Sequence, residues 1–137
     1  MNINIDFVNK LRNSGLRPTK QRLKICEVLF NTEKTFHFTV NYLSKIISEK
    51  LNQKISLATV YNTVHAFKKK GYLKEISMNS EKTYFDTNTS HHHHFLDSST
   101  KELTDLSDEQ VERIKINKAL PGKKISSVEI LVKVENE

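Results

Sequence analysis

The sequence predicts an α+β chain in two lobes, a helical first lobe ending in a hairpin and a smaller second lobe built largely of strands. Three observations carry that expectation. Apolar residues recur at helical spacing from Phe7 to Phe67, and two strand-like segments joined by a turn follow between Leu73 and Phe85. Alternation then returns near the end of the chain, with Val128, Ile130, Val132 and Val134 on one face. The charge divides at the same place: residues 1–86 carry 15 Lys/Arg and 7 Asp/Glu, a balance of +8, while residues 87–137 carry 7 and 9, a balance of −2. A chain of 137 residues accommodates one domain or two small lobes that lean on each other. The boundary is expected after Asp86, with a nucleic-acid-facing lobe over 1–86 and a lobe with another task over 87–137.

Phe7, Val8 and Leu11, closed by Ser14-Gly15, predict a short first helix. Arg17-Pro18-Thr19 reads as the start of a second, with Thr19 as N-cap and Leu23, Ile25, Cys26, Val28, Leu29 and Phe30 as its apolar face. Cys26 belongs to that face and reads as packing rather than as a reactive thiol. A third helix over 39–49 turns Val40, Leu43, Ile46 and Ile47 inward.

The fourth helix is the most informative. Ser56 caps its start, and Lys68-Lys69-Lys70 before Gly71 suit its negative end. Val60, Val64 and Phe67 form one buried stripe, which leaves Ala58, Asn62, His65 and Lys69 opposite it and Tyr61 to one side. That face is free of acids. It suits entry into the major groove, with Asn62 and Tyr61 on base edges and Lys69 on phosphate. Arg17 and Thr59 complete the predicted DNA-facing set, with His65 either a contact or a bystander; an ordinary solvated helix face is the alternative. Leu73–Ser77 and Lys82–Phe85, joined by a turn at 78–81, read as two strands whose wing lets Lys82 follow the backbone. Three helices, a recognition helix and a hairpin make a winged helix-turn-helix.

In the second lobe, short strands are expected at Phe95-Leu96 and over 102–106, a helix over 107–117 from Ser107 and a long strand over 125–134. Such a lobe makes a small core, and pairing with a second copy is the natural remedy. A single cysteine excludes a disulfide framework and any Cys-rich zinc site. No run of about 18 apolar residues is present, and residues 1–6 lack the pattern of a signal peptide. A cytoplasmic protein without a membrane span is expected.

Near the start of the second lobe lie four consecutive histidines, His91 to His94. Imidazole is a common ligand of transition metals and of haem. The run therefore reads as a candidate receiver of a chemical signal, or alternatively as a solvated polar loop.

Three segments, taken in order, carry a resemblance. They are Gly15-Leu16-Arg17-Pro18-Thr19-Lys20-Gln21-Arg22, then Ser56-Leu57-Ala58-Thr59-Val60-Tyr61-Asn62-Thr63, then Tyr84-Phe85-Asp86 followed by the histidines. Together they resemble the Fur (ferric uptake regulator) superfamily of metal-responsive transcription regulators, across essentially the whole chain. The resemblance implies a winged-helix DNA-binding domain, a hinge near residue 87 and a C-terminal dimerisation and effector-binding domain acting on operator DNA as a homodimer. Within the superfamily the chain looks most like the iron-response regulator branch, Irr. Tyr61-Asn62-Thr63 is similar to that branch, and Ser98-Ser99-Thr100 replaces the Cys-x-x-Cys that many relatives use for structural zinc. The Irr likeness implies haem sensing through the His run.

Two ligand sets follow from the resemblance. His37, Asp86, His91 and His93 are expected to form a mixed N/O site for zinc, manganese or ferrous iron that joins the lobes. His92, His94 and Glu112 are expected to hold haem or a second metal. Metal binding would fix the angle between the lobes and hence the spacing of two recognition helices, which half-sites about 34–36 Å apart demand. Haem at the same histidines would lower DNA affinity. A regulator responding to zinc, manganese or peroxide shares this frame. A small metal-dependent hydrolase is the reading from another class, opposed by the absence of a nucleophile motif and by the basic helix it leaves without a purpose. A haem or metal chaperone leaves the winged helix unused.

Overall fold

The computed structural model describes residues 3–76 and 82–137, so the predicted turn at 78–81 lies outside the described residues. The chain divides into two compact units, residues 1–89 and 90–137. The division falls after Thr89 rather than after Asp86 because Thr87 is tied to the first unit. Its N–H donates to the Phe36 carbonyl at 3.2 Å, and its hydroxyl accepts from the Phe36 N–H at 3.0 Å.

The first unit runs α1 (Ile3–Asn13), α2 (Lys20–Phe30), β1 (His37–Phe38), α3 (Val40–Leu51), α4 (Leu57–Lys70), β2 (Lys74–Ile76) and β3 (Tyr84–Asp86). Each of the last three helices starts where a hydroxyl satisfies a free N–H of the first turn. Thr19 accepts from Arg22, Thr39 from Tyr42 and Ser56 from Thr59. Helix α4 ends at Gly71, whose φ of 91° lets its N–H turn back onto the carbonyls of Phe67 and Lys68. The predicted stripe of α4 is fully buried at Val60, Val64 and Phe67, joined by Thr63, whose hydroxyl donates to the Thr59 carbonyl at 2.7 Å. That stripe meets Phe7, Leu11, Ile25, Cys26, Leu29, Leu43 and Ile47 in one core. The burial of Cys26 pushes its thiol pKa up to about 12, as packing rather than reactivity requires.

Strand β3 is the centre of a three-stranded antiparallel sheet ordered β1-β3-β2. The helices and this hairpin form the expected winged helix. Strand β1 is an addition to the expected elements: its two residues leave too little alternation to read in the sequence.

The second unit contains β4 (His93–Asp97), β5 (Leu103–Leu106), a 3-10 turn at Asp108–Gln110 and β6 (Leu131–Val134). Its sheet is ordered β5-β4-β6, with β5 antiparallel and β6 parallel to β4. Two expectations need correction. The helix over 107–117 is limited to the 3-10 turn, and Val111 is already extended at φ −117°, ψ 130°. Gln110 Oε1 accepts from the Ser107 N–H at 3.0 Å, so the helix start forms, but β-branched Val111, Ile114 and Ile116 give it poor propagation. Ile114 and Ile116 remain exposed, so no apolar face is buried to compensate. The long strand over 125–134 shortens to residues 131–134, the part that pairs with β4.

Candidate metal centres and DNA-facing helix

Strand β1 lies against β3 in the register His37↔Asp86 and Phe38↔Phe85. This places the Asp86 carboxylate, fully buried, with its Oδ2 3.1 Å from His37 Nε2. Its Oδ1 accepts from the Asn88 N–H at 2.8 Å. A buried carboxylate costs free energy unless paired and hydrogen-bonded, and both conditions are met here. An imidazole nitrogen and a carboxylate oxygen converge within the first unit.

The His run is the entry into β4, and strand alternation splits it into two pairs. His91 and His93 lie on one side, rings 5.3 Å apart, and His92 and His94 on the other, rings 4.5 Å apart. Each pair faces a carboxylate of its own unit. Asp108 lies 3.2 Å from His91 Nδ1 and 2.8 Å from His93 Nε2. Asp105 Oδ1 lies 3.2 Å from His92 Nε2 and 3.6 Å from His94 Nε2. His92, His93 and His94 are each buried, with about 5% of their surface exposed, whereas His91 is open. The buried imidazoles set aside the solvated-loop reading of the run.

The outer hydrogen bonds decide which nitrogens are available. A carbonyl only accepts, so His92 donates from Nδ1 to the Ser90 carbonyl at 2.7 Å, and its Nε2 faces Asp105. His91 likewise donates from Nε2 to the Val128 carbonyl at 3.1 Å and turns Nδ1 to Asp108. Two acceptors at such distances require a proton or a metal cation between them. His93 is different. Its Nδ1 accepts from the Ile130 N–H at 3.0 Å, so Nε2 carries the ring's proton and donates it to Asp108. The Asp108 carboxyl is held below the usual carboxylate range, foremost by its hydrogen bond with His91. In each set the imidazole and carboxylate donor atoms lie within 4.8 Å of one another. Such N/O donors fit zinc, manganese or ferrous iron.

The structure groups the predicted ligands differently from the sequence. Glu112 lines a cavity of about 380 Å³ together with His91, His93 and Asp108, so it belongs to that side of the strand rather than with His92 and His94. The reason is the extended chain after Gln110, which replaces the helix on which Glu112 had been placed. Asp105 and Asp108 were not foreseen. Their approach depends on the β4–β5 register, in which His94 pairs with Asp105 and His93 with Leu106, and no spacing along the chain announces it.

On α4, Ala58, Tyr61, Asn62 and Lys69 are exposed, and Arg17 is exposed before α2. Thr59 is half-buried and its hydroxyl lies 2.8 Å from that of Ser56, so its side chain serves the helix start. Lys82 is exposed at the foot of β3. His65 is half-buried, its ring set between those of Tyr61 and Phe85.

A sequence profile described as Ferric uptake regulator family matches residues 13–133. The chain belongs to that family. Similar relatives include the peroxide-responsive repressor PerR of Staphylococcus epidermidis, 30% identical over 109 residues, which are 80% of this chain and 71% of that protein. The ferric uptake regulation protein of Vibrio anguillarum is 35% identical over 104 residues, 75% of this chain and 68% of that protein. In fold, the chain resembles the ferric uptake regulator of Vibrio cholerae with a TM-score of 0.69 at 22% identity, over 94% of this chain and 98% of that one. This Fur-family chain is a metal-responsive transcriptional regulator. Family members are regulators and not enzymes, which removes the hydrolase alternative.

Proposed function

We propose that the chain is a cytoplasmic regulator of iron homeostasis that binds operator DNA as a homodimer and changes its DNA affinity when a divalent metal is held at the His run. The observation that carries this reading is the pairing of alternate histidines with separate carboxylates, His92 and His94 with Asp105, His91 with Asp108. Imidazole nitrogens gathered with a carboxylate oxygen suit zinc, manganese or ferrous iron. His37 and Asp86 offer further donors in the first unit. His93, already donating to Asp108, orients that carboxylate. Because His91 and His92 are each fixed by a hydrogen bond from the other nitrogen, metal and proton compete for the same atom.

DNA is assigned to the outer face of α4, with Tyr61 and Asn62 on base edges, Ala58 against apolar base groups, and Arg17, Lys69 and Lys82 on phosphates. Dimerisation is assigned to the second unit. It exposes Ile114, Ile116, Leu120 and Ile125, an apolar load that a unit of this size covers by pairing. Peroxide response is the neighbouring reading, favoured by the PerR relative.

Haem as effector, in the manner of Irr, is a second reading, favoured by the exposed His91, which lines a cavity of about 380 Å³. Titration with haem and with each metal, alongside binding of an operator duplex selected from a random library, separates these readings. A Soret shift lost on replacing the His run with alanine supports haem; metal-dependent DNA affinity with no Soret shift supports metal alone. A DNA affinity unmoved by zinc, manganese, iron and haem overturns the proposal.

A further inference from the structure

Deepening the metal-responsive reading and resting on it, we propose that His65 is a positioning residue that couples the His37–Asp86 pair to the DNA-reading Tyr61, rather than a DNA contact. The ladder that connects them lies entirely within the first unit. In the β1–β3 pair, His37 stands opposite Asp86 and Phe38 opposite Phe85. Strand alternation sends the donor pair to one face of the sheet and the phenylalanine pair to the other. Any change in how His37 and Asp86 are held therefore moves the backbone that also carries Phe38 and Phe85.

Those two rings stack at 5.8 Å and are almost fully buried. Phe85 then meets His65 edge-on at 5.6 Å and 81°. His65 in turn lies 4.1 Å from the ring of Tyr61, one helical turn earlier on α4. Among the described residues His65 is the ring that Tyr61 touches, and Tyr61 itself is half exposed, at 51%. The result is a row of four rings, Phe38, Phe85, His65 and Tyr61, running from the strand neighbours of the donors to the outer face of the reading helix. A close-packed row transmits displacement instead of absorbing it. His65 is half-buried between two rings, so to reach a base edge it would have to leave both. The requirement on this position is a flat ring, not a hydrogen-bonding group.

That distinction sets the test. In the full chain, His65→Ala removes the ring, His65→Phe keeps a ring without polar atoms, and His65→Asn keeps polar atoms without a ring. Binding of the operator duplex selected by the wild-type protein is measured with and without zinc. His65→Ala and His65→Asn are expected to reduce the zinc-induced gain in DNA affinity by about threefold to tenfold, the weight of one aromatic pair. Their zinc-free affinity should stay within about twofold of wild type, and His65→Phe should restore the gain. The Tyr61 ring resonances should shift on zinc addition in wild type and in His65→Phe, and stay still in His65→Ala. Rescue by Asn and not by Phe, or a full zinc gain in His65→Ala, overturns the proposal. Where melting curves show that the alanine variant does not fold, the Phe and Asn variants decide alone. A wild-type protein with no zinc response rejects the underlying metal reading before any variant is made.

Discussion

Replacing Asp105 by asparagine keeps the shape of the side chain and removes its charge, which makes it a clean probe of the His92–His94 set. Asp105 Oδ1 lies 3.2 Å from His92 Nε2 and 3.6 Å from His94 Nε2. A zinc ion with bonds of about 2.0–2.1 Å in tetrahedral geometry separates its donors by roughly 3.3–3.4 Å. The two observed separations bracket that range, so this oxygen can share one ion with both rings after shifts of a few tenths of an ångström. Losing the carboxylate should weaken zinc at this set by at least about tenfold to a hundredfold, or roughly 1.4–2.7 kcal/mol, the range seen even for groups that only support a ligand. Competition against a chromophoric chelator measures the affinity and the number of sites, and circular dichroism checks the fold. Asp108→Asn should leave the Asp105 set untouched and weaken the other. Asp105→Asn with the full zinc affinity and stoichiometry of wild type would refute the assignment of this oxygen as a ligand.

Because the Cys26 thiol is raised to about 12 by burial, it should resist alkylation in the native state at neutral pH and react only after unfolding. The sign with pH is fixed: a folded pKa above the unfolded value of 9.0 gives stability that is full below pH 9 and declines towards pH 12. A Cys26→Ala variant should flatten that alkaline decline in urea melts, and an equal decline in both proteins would count against the buried thiol as its source. Lys69→Ala should weaken operator binding similarly for all sequences and lower the slope of log affinity against log salt by about 1, whereas Asn62→Ala should relax sequence preference and leave the slope unchanged. The reverse pattern would move the phosphate contact away from Lys69.

The first unit was legible because its signals are local. The Val60, Val64, Phe67 stripe, the caps Thr19 and Ser56, and Gly71 at the end of α4 are each set by residues within a turn of one another. The second unit was harder because its order comes from pairing between distant segments. Strand β4 begins at His93, not at Phe95, since Leu106 and Leu131 supply partners that the run itself does not reveal. The same dependence on register hid Asp105 and Asp108. It also misled the reading of Glu112, whose expected position assumed a helix that the β-branched stretch after Gln110 does not sustain. The histidines were conspicuous in the sequence; the carboxylates opposite them were not.

A run of four identical side chains does not make four equivalent ligands. Alternation on β4 gives two sides, but it is the second nitrogen of each ring that decides what the first can do. His92 donates to the Ser90 carbonyl and His91 to the Val128 carbonyl, and both thereby turn the opposite nitrogen towards a carboxylate. His93 receives the Ile130 N–H, which commits its other nitrogen to holding a proton against Asp108. To ligate a metal through that nitrogen, the neutral ring would have to move its proton to Nδ1, which would then point at the Ile130 N–H, donor against donor. On this reasoning His93→Asn, able to donate to Asp108 from its amide, should preserve zinc affinity far better than His92→Asn. Equal losses in the two variants, measured by the same chelator competition, would show that the Ile130 hydrogen bond gives way when metal arrives.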